Sequence, residues 1–244
     1  MATNKLSPKL NALWMRLADE PRLIGFVLIG GTALALRIAH RVSEDLDFAY
    51  LGQTLPRVRI SNLIDSLQRA GLDVQANQNV ADEQDFLDAG LVLAEHQQNF
   101  VIDGEIKLSF VRFDNQTTQC LAGTTESPAR IASLDEIFRT KSLVCAQRSK
   151  TRDWFDLYIL MTSHGFNVSD MHRAFADAGC ASMFDIAAQR LRLCKPTKTD
   201  EGYAHLVKPA PSLPIMRRFF SQALDQLEID LSRAAFKAKL KPDQ

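Results

Sequence analysis

The sequence predicts a mixed α/β core in the first half of the chain, followed by a helical region. Three observations carry this expectation. Strand-like runs at residues 24–29, 45–50 and 100–111 are interleaved with helix-like ones. From Pro128 onward the periodicity is helical, without a further strand signature. The 244 residues, 46% hydrophobic and 24% charged, suffice for one large core or two small ones. The expected class is therefore α/β (α+β), with a small mixed sheet in residues 1–125 and helices in residues 126–244.

Each element has a local cause. Ser7-Pro8 reads as an N-cap with proline in the first helical position, opening a helix to about Asp19 that Pro21 ends. Residues 24–29 are continuously apolar, as in a buried strand. Residues 32–39, rich in Ala and Leu, read as a short helix. In residues 45–50 polar and apolar side chains alternate, so Asp45 and Asp47 share one face and Leu46 and Phe48 the other. Residues 57–70 carry Ile60, Leu63, Ile64 and Leu67 on one helical stripe, closed by Gly71. Residues 91–94 are expected to form a further strand. Residues 100–111 hold two apolar runs around Asp103-Gly104, which favours a type I′ hairpin. Ser133-x-x-Glu136 is a capping box opening a helix to about Arg148. Helices follow at 151–163, 169–178, 181–193 and 215–240, with a proline-rich loop over 195–214.

Composition narrows the function classes. Lys+Arg and Asp+Glu both number 29, so no global basic field announces a nucleic-acid partner. Residues 186–244 nevertheless carry 11 Lys and Arg against 6 Asp and Glu, a local excess that RNA phosphates would attract and that a solvated helix face also explains. Cys120, Cys145, Cys180 and Cys194 form no CxxC pair and read as reduced thiols. The polar first residues and the short apolar run at 23–36 predict a cytoplasmic protein with no membrane partner.

The chemistry concentrates in two blocks. In the first, Gly30-Gly31 sits at a strand-to-helix junction, where backbone N–H groups approach a phosphate closely and Thr32 adds a hydroxyl donor. About 15 residues on, Asp45 and Asp47 project side by side. Two such carboxylates suit Mg²⁺, which keeps few protein ligands and completes its shell with phosphate oxygens; a solvated edge-strand face is the alternative. Arg41 and Ser43 stand just before the acids, Arg41 within reach of a phosphate. In the second block, Lys141 and Arg148 lie seven apart on one helix face. Asp153 and Asp156 are three apart on the next helix. Asp153 can orient Lys141 or Arg148, or act as a base; Asp156 and Arg152, four apart, also suit a structural ion pair.

"GGT" followed by "RVSEDLDF" resembles the signature of the DNA polymerase beta-like nucleotidyltransferase superfamily, and "GGTALALRIAHRVSEDLDF" is most similar to the AbiEii/AbiGii toxin family within it. "KSLVCAQRSKTRDWFDLYIL" resembles that family's Lys…Arg…Arg-Asp-x-x-Asp-Leu segment. The resemblance implies transfer of a nucleoside monophosphate from a Mg-NTP to an acceptor hydroxyl, with tRNA or another RNA as one acceptor and a cognate antitoxin as partner. It places Gly30, Gly31, Thr32, Arg41, Ser43, Lys141 and Arg148 at the nucleotide, Asp45 and Asp47 at the metal, and Asp45, Asp47, Lys141 and Asp153 in the catalytic set. The superfamily usually carries a third carboxylate on a later strand. Here the matching positions are Lys107 or Ser109, with Glu105 available under a different register. Two other readings stay open: a small-molecule adenylyltransferase acting on an aminoglycoside-like alcohol, and a nucleotide-binding module that has lost transfer.

Overall fold

The computed structural model describes residues 6–121 and 127–239. The expected boundary near residue 125, the polar residues 1–5 and the end of the last helix at residue 240 fall outside the described residues. The chain divides into two compact units, Met1–Ile137 and Phe138–Gln244.

In the first unit the order is α1 (Pro8–Leu17), β1 (Phe26–Ile29), α2 (Gly30–Ile38), β2 (Asp45–Tyr50), α3 (Arg57–Arg69), β3 (Val74–Ala76), α4 (Val80–Asp88), β4 (Gln97–Ile102), β5 (Ile106–Val111), α5 (Asn115–Thr118) and β6 (Arg130–Ile131). The strands form one mixed sheet in the order β3-β4-β5-β2-β1-β6. β1 is antiparallel to β2, and β2 is parallel to β5. β1 is apolar throughout because both its faces are covered: all four of its residues are buried. Phe48 and Phe110 stack with ring centroids 5.8 Å apart, and Phe26 meets Phe110 edge-on at 5.5 Å. Such contacts favour offset and T-shaped geometries.

Several expectations hold in detail. Ser7 Oγ accepts from Leu10 N–H at 3.2 Å, capping α1. Asp103 and Gly104 have φ of 52° and 71°, the two positive values a type I′ turn requires. Two expectations change. Residues 91–94 do not form a strand; Leu93–Glu95 is a single 3₁₀ turn, because a four-residue apolar run does not distinguish a turn from a strand. The helix expected from residue 32 begins two residues earlier, at Gly30.

The second unit is helical. It holds the greater part of α6 (Leu134–Gln147), then α7 (Thr151–Ser163), α8 (Val168–Asp177), α9 (Phe184–Leu193) and α10 (Leu213–Lys239). The capping box that opens α6 is present: Ser133 N–H donates to Glu136 Oε2 at 2.7 Å, and Glu136 N–H donates to Ser133 Oγ at 3.2 Å. Glu136 also takes both guanidinium nitrogens of Arg130, at 2.7 and 2.8 Å. Trp154, Phe155, Leu157 and Leu160 of α7 are buried, with Phe155 stacked on Tyr203. Met216, Phe220, Leu224 and Leu227 form the buried stripe of α10. Among the described residues no helix is long and apolar enough to cross a membrane.

Candidate active site

The first block assembles where β1 runs into α2. Strand β2 returns antiparallel beside β1 and pairs Ile29 with Asp47, which brings the second aspartate against the glycine turn. Gly30 has φ 72°, and a Cβ built on it would stand 3.0 Å from Asp47 Oδ2. The turn therefore needs glycine twice over, for a left-handed backbone and for room beside the carboxylate. The N-cap residue of α2, Ile29, makes no side-chain cap, and the first turn holds no acidic residue. A helix start of that kind presents donors and a partial positive charge to an anion.

Asp45 and Asp47 are partly exposed, whereas Leu46 and Phe48 between and after them are buried. The two carboxylates thus lie on one face of the sheet, as the alternation predicts. β5 adds the neighbouring row. Its register sets Lys107 beside Asp45 and Ser109 beside Asp47, and parallel partners share a face. Glu105 falls one residue outside β5 and is ion-paired with Lys9. β5 thus sets Lys107 and Ser109, and no acid, beside Asp45 and Asp47. Among the described residues no group of three or more His, Cys, Asp or Glu gathers as a metal cluster. The pair of partly exposed carboxylates still fits Mg²⁺, which needs one or two protein carboxylates and takes the rest of its shell from water and phosphate.

Three residues of the block turn inward. Thr32 is 1% exposed; its hydroxyl donates to the Asp45 carbonyl and accepts from the Ser43 hydroxyl at 2.8 Å. The hydroxyl expected to face a phosphate is thus spent on tying α2 to the start of β2, and the Thr32 backbone N–H is what the turn offers. Ser43 and Arg41 are each 4% exposed. Arg41 Nη1 donates to the Val42 carbonyl at 3.0 Å, and its guanidinium packs behind Gly31. From α2, Arg37 reaches the carbonyls of Ile131 and Ala132, fixing the helix to β6.

The second block assembles within the second unit. Asp153 and Asp156, three apart on α7, present their carboxylates to the same ammonium: Lys141 Nζ lies 3.0 Å from Asp153 and 2.8 Å from Asp156. Asp153 also holds Arg148, with Nε at 2.8 Å and Nη2 at 3.3 Å. One carboxylate thus bridges both cations, as the spacing allows for Asp153; the pairing of Asp156 with Lys141 joins residues 15 apart, which no local rule signals. The Lys141 side chain is 8% exposed and that of Arg148 51%. Burial opposes ionisation of Asp153, but the charges of Lys141 and Arg148 outweigh it and hold its pKa below the ordinary carboxylate value. Arg152 pairs with Glu201 at 3.2 Å and donates to the Gly202 carbonyl at 3.0 Å. Tyr158 packs edge-on to Phe219 and Phe220, and Trp154 is fully buried, so both serve packing.

The sequence pattern of the nucleotidyl transferase AbiEii toxin family, of type IV toxin–antitoxin systems, matches residues 12–243. A protein of Aquifex aeolicus strain VF5, aq_aa25, is 28% identical over 149 residues, spanning 61% of this chain and 63% of its own length; the match thus spans less than two thirds of that relative. Among solved structures, MenT4, a nucleotidyltransferase toxin (Rv2826c) of Mycobacterium tuberculosis H37Rv, aligns with a TM-score of 0.51 at 13% identity over 88% of this chain and 82% of its own, a likeness of fold. JHP933 from Helicobacter pylori aligns over 94% of this chain and 99% of its own, with a TM-score of 0.46 and 19% identity.

Proposed function

The chain belongs to the AbiEii nucleotidyl transferase toxin family, and from that premise we propose that it transfers a nucleoside monophosphate from a Mg-NTP to an acceptor hydroxyl. The observation that carries the reading is the juxtaposition of the glycine turn with the acid pair. Gly30 lies against Asp47, and α2 starts beside two carboxylates on one face of β2.

In this reading the N–H groups of Gly30, Gly31 and Thr32 bind phosphate oxygens. Asp45 and Asp47 hold Mg²⁺, which when bound screens the triphosphate charge and stabilises the charge that develops on the transferring phosphoryl group. Lys107 and Ser109, in the place of a third acid, leave the site with two carboxylates, which suits one ion. The acceptor oxygen attacks the α-phosphorus in line, the bond to the β-phosphate oxygen breaks, pyrophosphate leaves, and the hydroxyl proton passes to water.

The second unit carries its own charged cluster: half the Arg148 side chain is exposed, and Lys141 is buried between Asp153 and Asp156 and fixes their geometry. Asp153 is assigned to orienting the cations and not to the base role, because a carboxylate that carries two ion pairs and a lowered pKa is a weak proton acceptor. RNA is the proposed acceptor class, taken from the family resemblance, with the basic excess of residues 186–244 in line with it. A cognate antitoxin and a cytoplasmic site of action belong to the same reading.

Calorimetry with Mg²⁺ and each NTP tests the site. Replacing Asp45→Asn together with Asp47→Asn is expected to weaken Mg-dependent NTP binding at least tenfold at unchanged thermal stability. Unchanged binding would remove the metal assignment.

A further inference from the structure

Gly31 is tightly confined. A Cβ built on it would collide with Arg41 Nη2, would stand 3.1 Å from Arg41 Cζ and would stand 3.2 Å from Ser43 Oγ. Arg41 itself is 4% exposed, so the guanidinium occupies the space that a side chain at position 31 would fill. From behind, the same few ångströms hold Thr32 bonded to Ser43 and to the Asp45 carbonyl. The segment that leads into the acid pair is therefore packed directly against the glycine turn, with a permanently charged group at the contact. Arginine keeps its charge at any working pH.

We infer that Arg41 is a positioning residue for the phosphate end of the site, acting through Gly31 without touching the nucleotide. The inference rests on the nucleotide-binding reading of the glycine turn. The guanidinium does two things there. It fills the space beside Gly31, so the turn and its N–H donors keep one conformation before a phosphate arrives. Its charge, held beside the turn, adds a positive potential at the start of α2, and fields of this kind raise anion occupancy tenfold or more. Glycine at position 31 is required by the arginine at position 41, whereas at position 30 it is required by φ and by Asp47.

A mutant cycle read by binding separates this role from direct contact. The probes are Mg-ATP, Mg-GTP, Mg-CTP and Mg-UTP, each with its nucleoside, on the intact chain. The atom met by a Gly31→Ala Cβ is the end of a flexible side chain, so the fold is expected to survive while the guanidinium moves. Gly31→Ala and Arg41→Ala should each weaken binding of the preferred triphosphate about tenfold and change nucleoside binding less than twofold. The double variant should bind no more than twofold worse than Arg41→Ala, because the space is then open, and Arg41→Lys should recover part of the loss. Multiplied losses in the double variant, or equal losses for triphosphate and nucleoside, would overturn the inference. If Arg41→Ala does not fold, Gly31→Ala alone decides: triphosphate binding unchanged at unchanged thermal stability refutes it. A wild-type chain that binds none of the four triphosphates would instead remove the nucleotide reading, and this inference with it.

Discussion

Lys141→Met removes the one ammonium shared by two buried carboxylates while keeping most of the side-chain volume. Asp153 is 3% exposed and Asp156 0%, and Lys141 Nζ stands 3.0 and 2.8 Å from them. At an effective dielectric constant near 20, one such pair at 3 Å is worth roughly 5 kcal/mol of attraction, most of it offset by desolvation in the native protein. Removing one partner leaves the desolvation uncompensated, which costs about 3–5 kcal/mol. For a protein of this size each kcal/mol lowers Tm by about 2–4 °C, so the variant should melt roughly 6–20 °C below wild type in a calorimetric scan. The pH dependence has a definite sign. In the wild type Asp153 has a folded pKa below its unfolded value. Its contribution is fully present above the unfolded pKa, near 3.9, and is lost as pH falls through the folded value. In Lys141→Met burial prevails over the remaining Arg148 charge and the folded pKa rises. The deficit then grows as pH rises from about 4 through that raised value. The variant should therefore lie closer to wild type at pH 5 than at pH 8. A variant within 1 kcal/mol of wild type at pH 8 would refute the reasoning.

Three further outcomes are expected. Gly30→Ala places a Cβ at positive φ and 3.0 Å from Asp47 Oδ2; chemical denaturation should show a loss of about 1–2 kcal/mol, together with weakened Mg-NTP binding. Glu136→Gln removes the charge from a carboxylate that serves both Arg130 and the start of α6; a loss of roughly 1.5–3 kcal/mol is expected by the same measurement. All four cysteines are free and buried, and burial pushes the Cys145 thiol up and the Cys194 thiol up to about 12; a maleimide reagent at pH 7.5 should label none of them in the native chain within minutes and all four in denaturant.

Legibility from sequence followed the range of the interactions. The Ser133–Glu136 box and the Asp103-Gly104 turn are set by residues three or fewer apart, and both stand as expected. The shared face of Asp45 and Asp47 follows from a period of two, and it too was readable. The two- and three-residue strands β6 and β3 were not, since pairing with a neighbouring strand defines them and no periodicity fits in so few residues. α4 escaped notice for a related reason: it buries no residue, so it shows no apolar stripe. At the site the residue types were legible but their directions were not. The inward hydroxyl of Thr32, the guanidinium behind Gly31 and the pairing of Asp156 with Lys141 all depend on contacts ten or more residues distant.

The central claim is nucleotidyl transfer, and one assay tests it most directly. The purified chain is incubated with Mg²⁺, each of four α-labelled NTPs in turn, and total cellular RNA with a protein lysate, then resolved on a denaturing gel. The account predicts label on an RNA band from at least one NTP, absent when Asp45 and Asp47 are both replaced by Asn. No labelled product from any NTP, with a chain that still binds one, would contradict it.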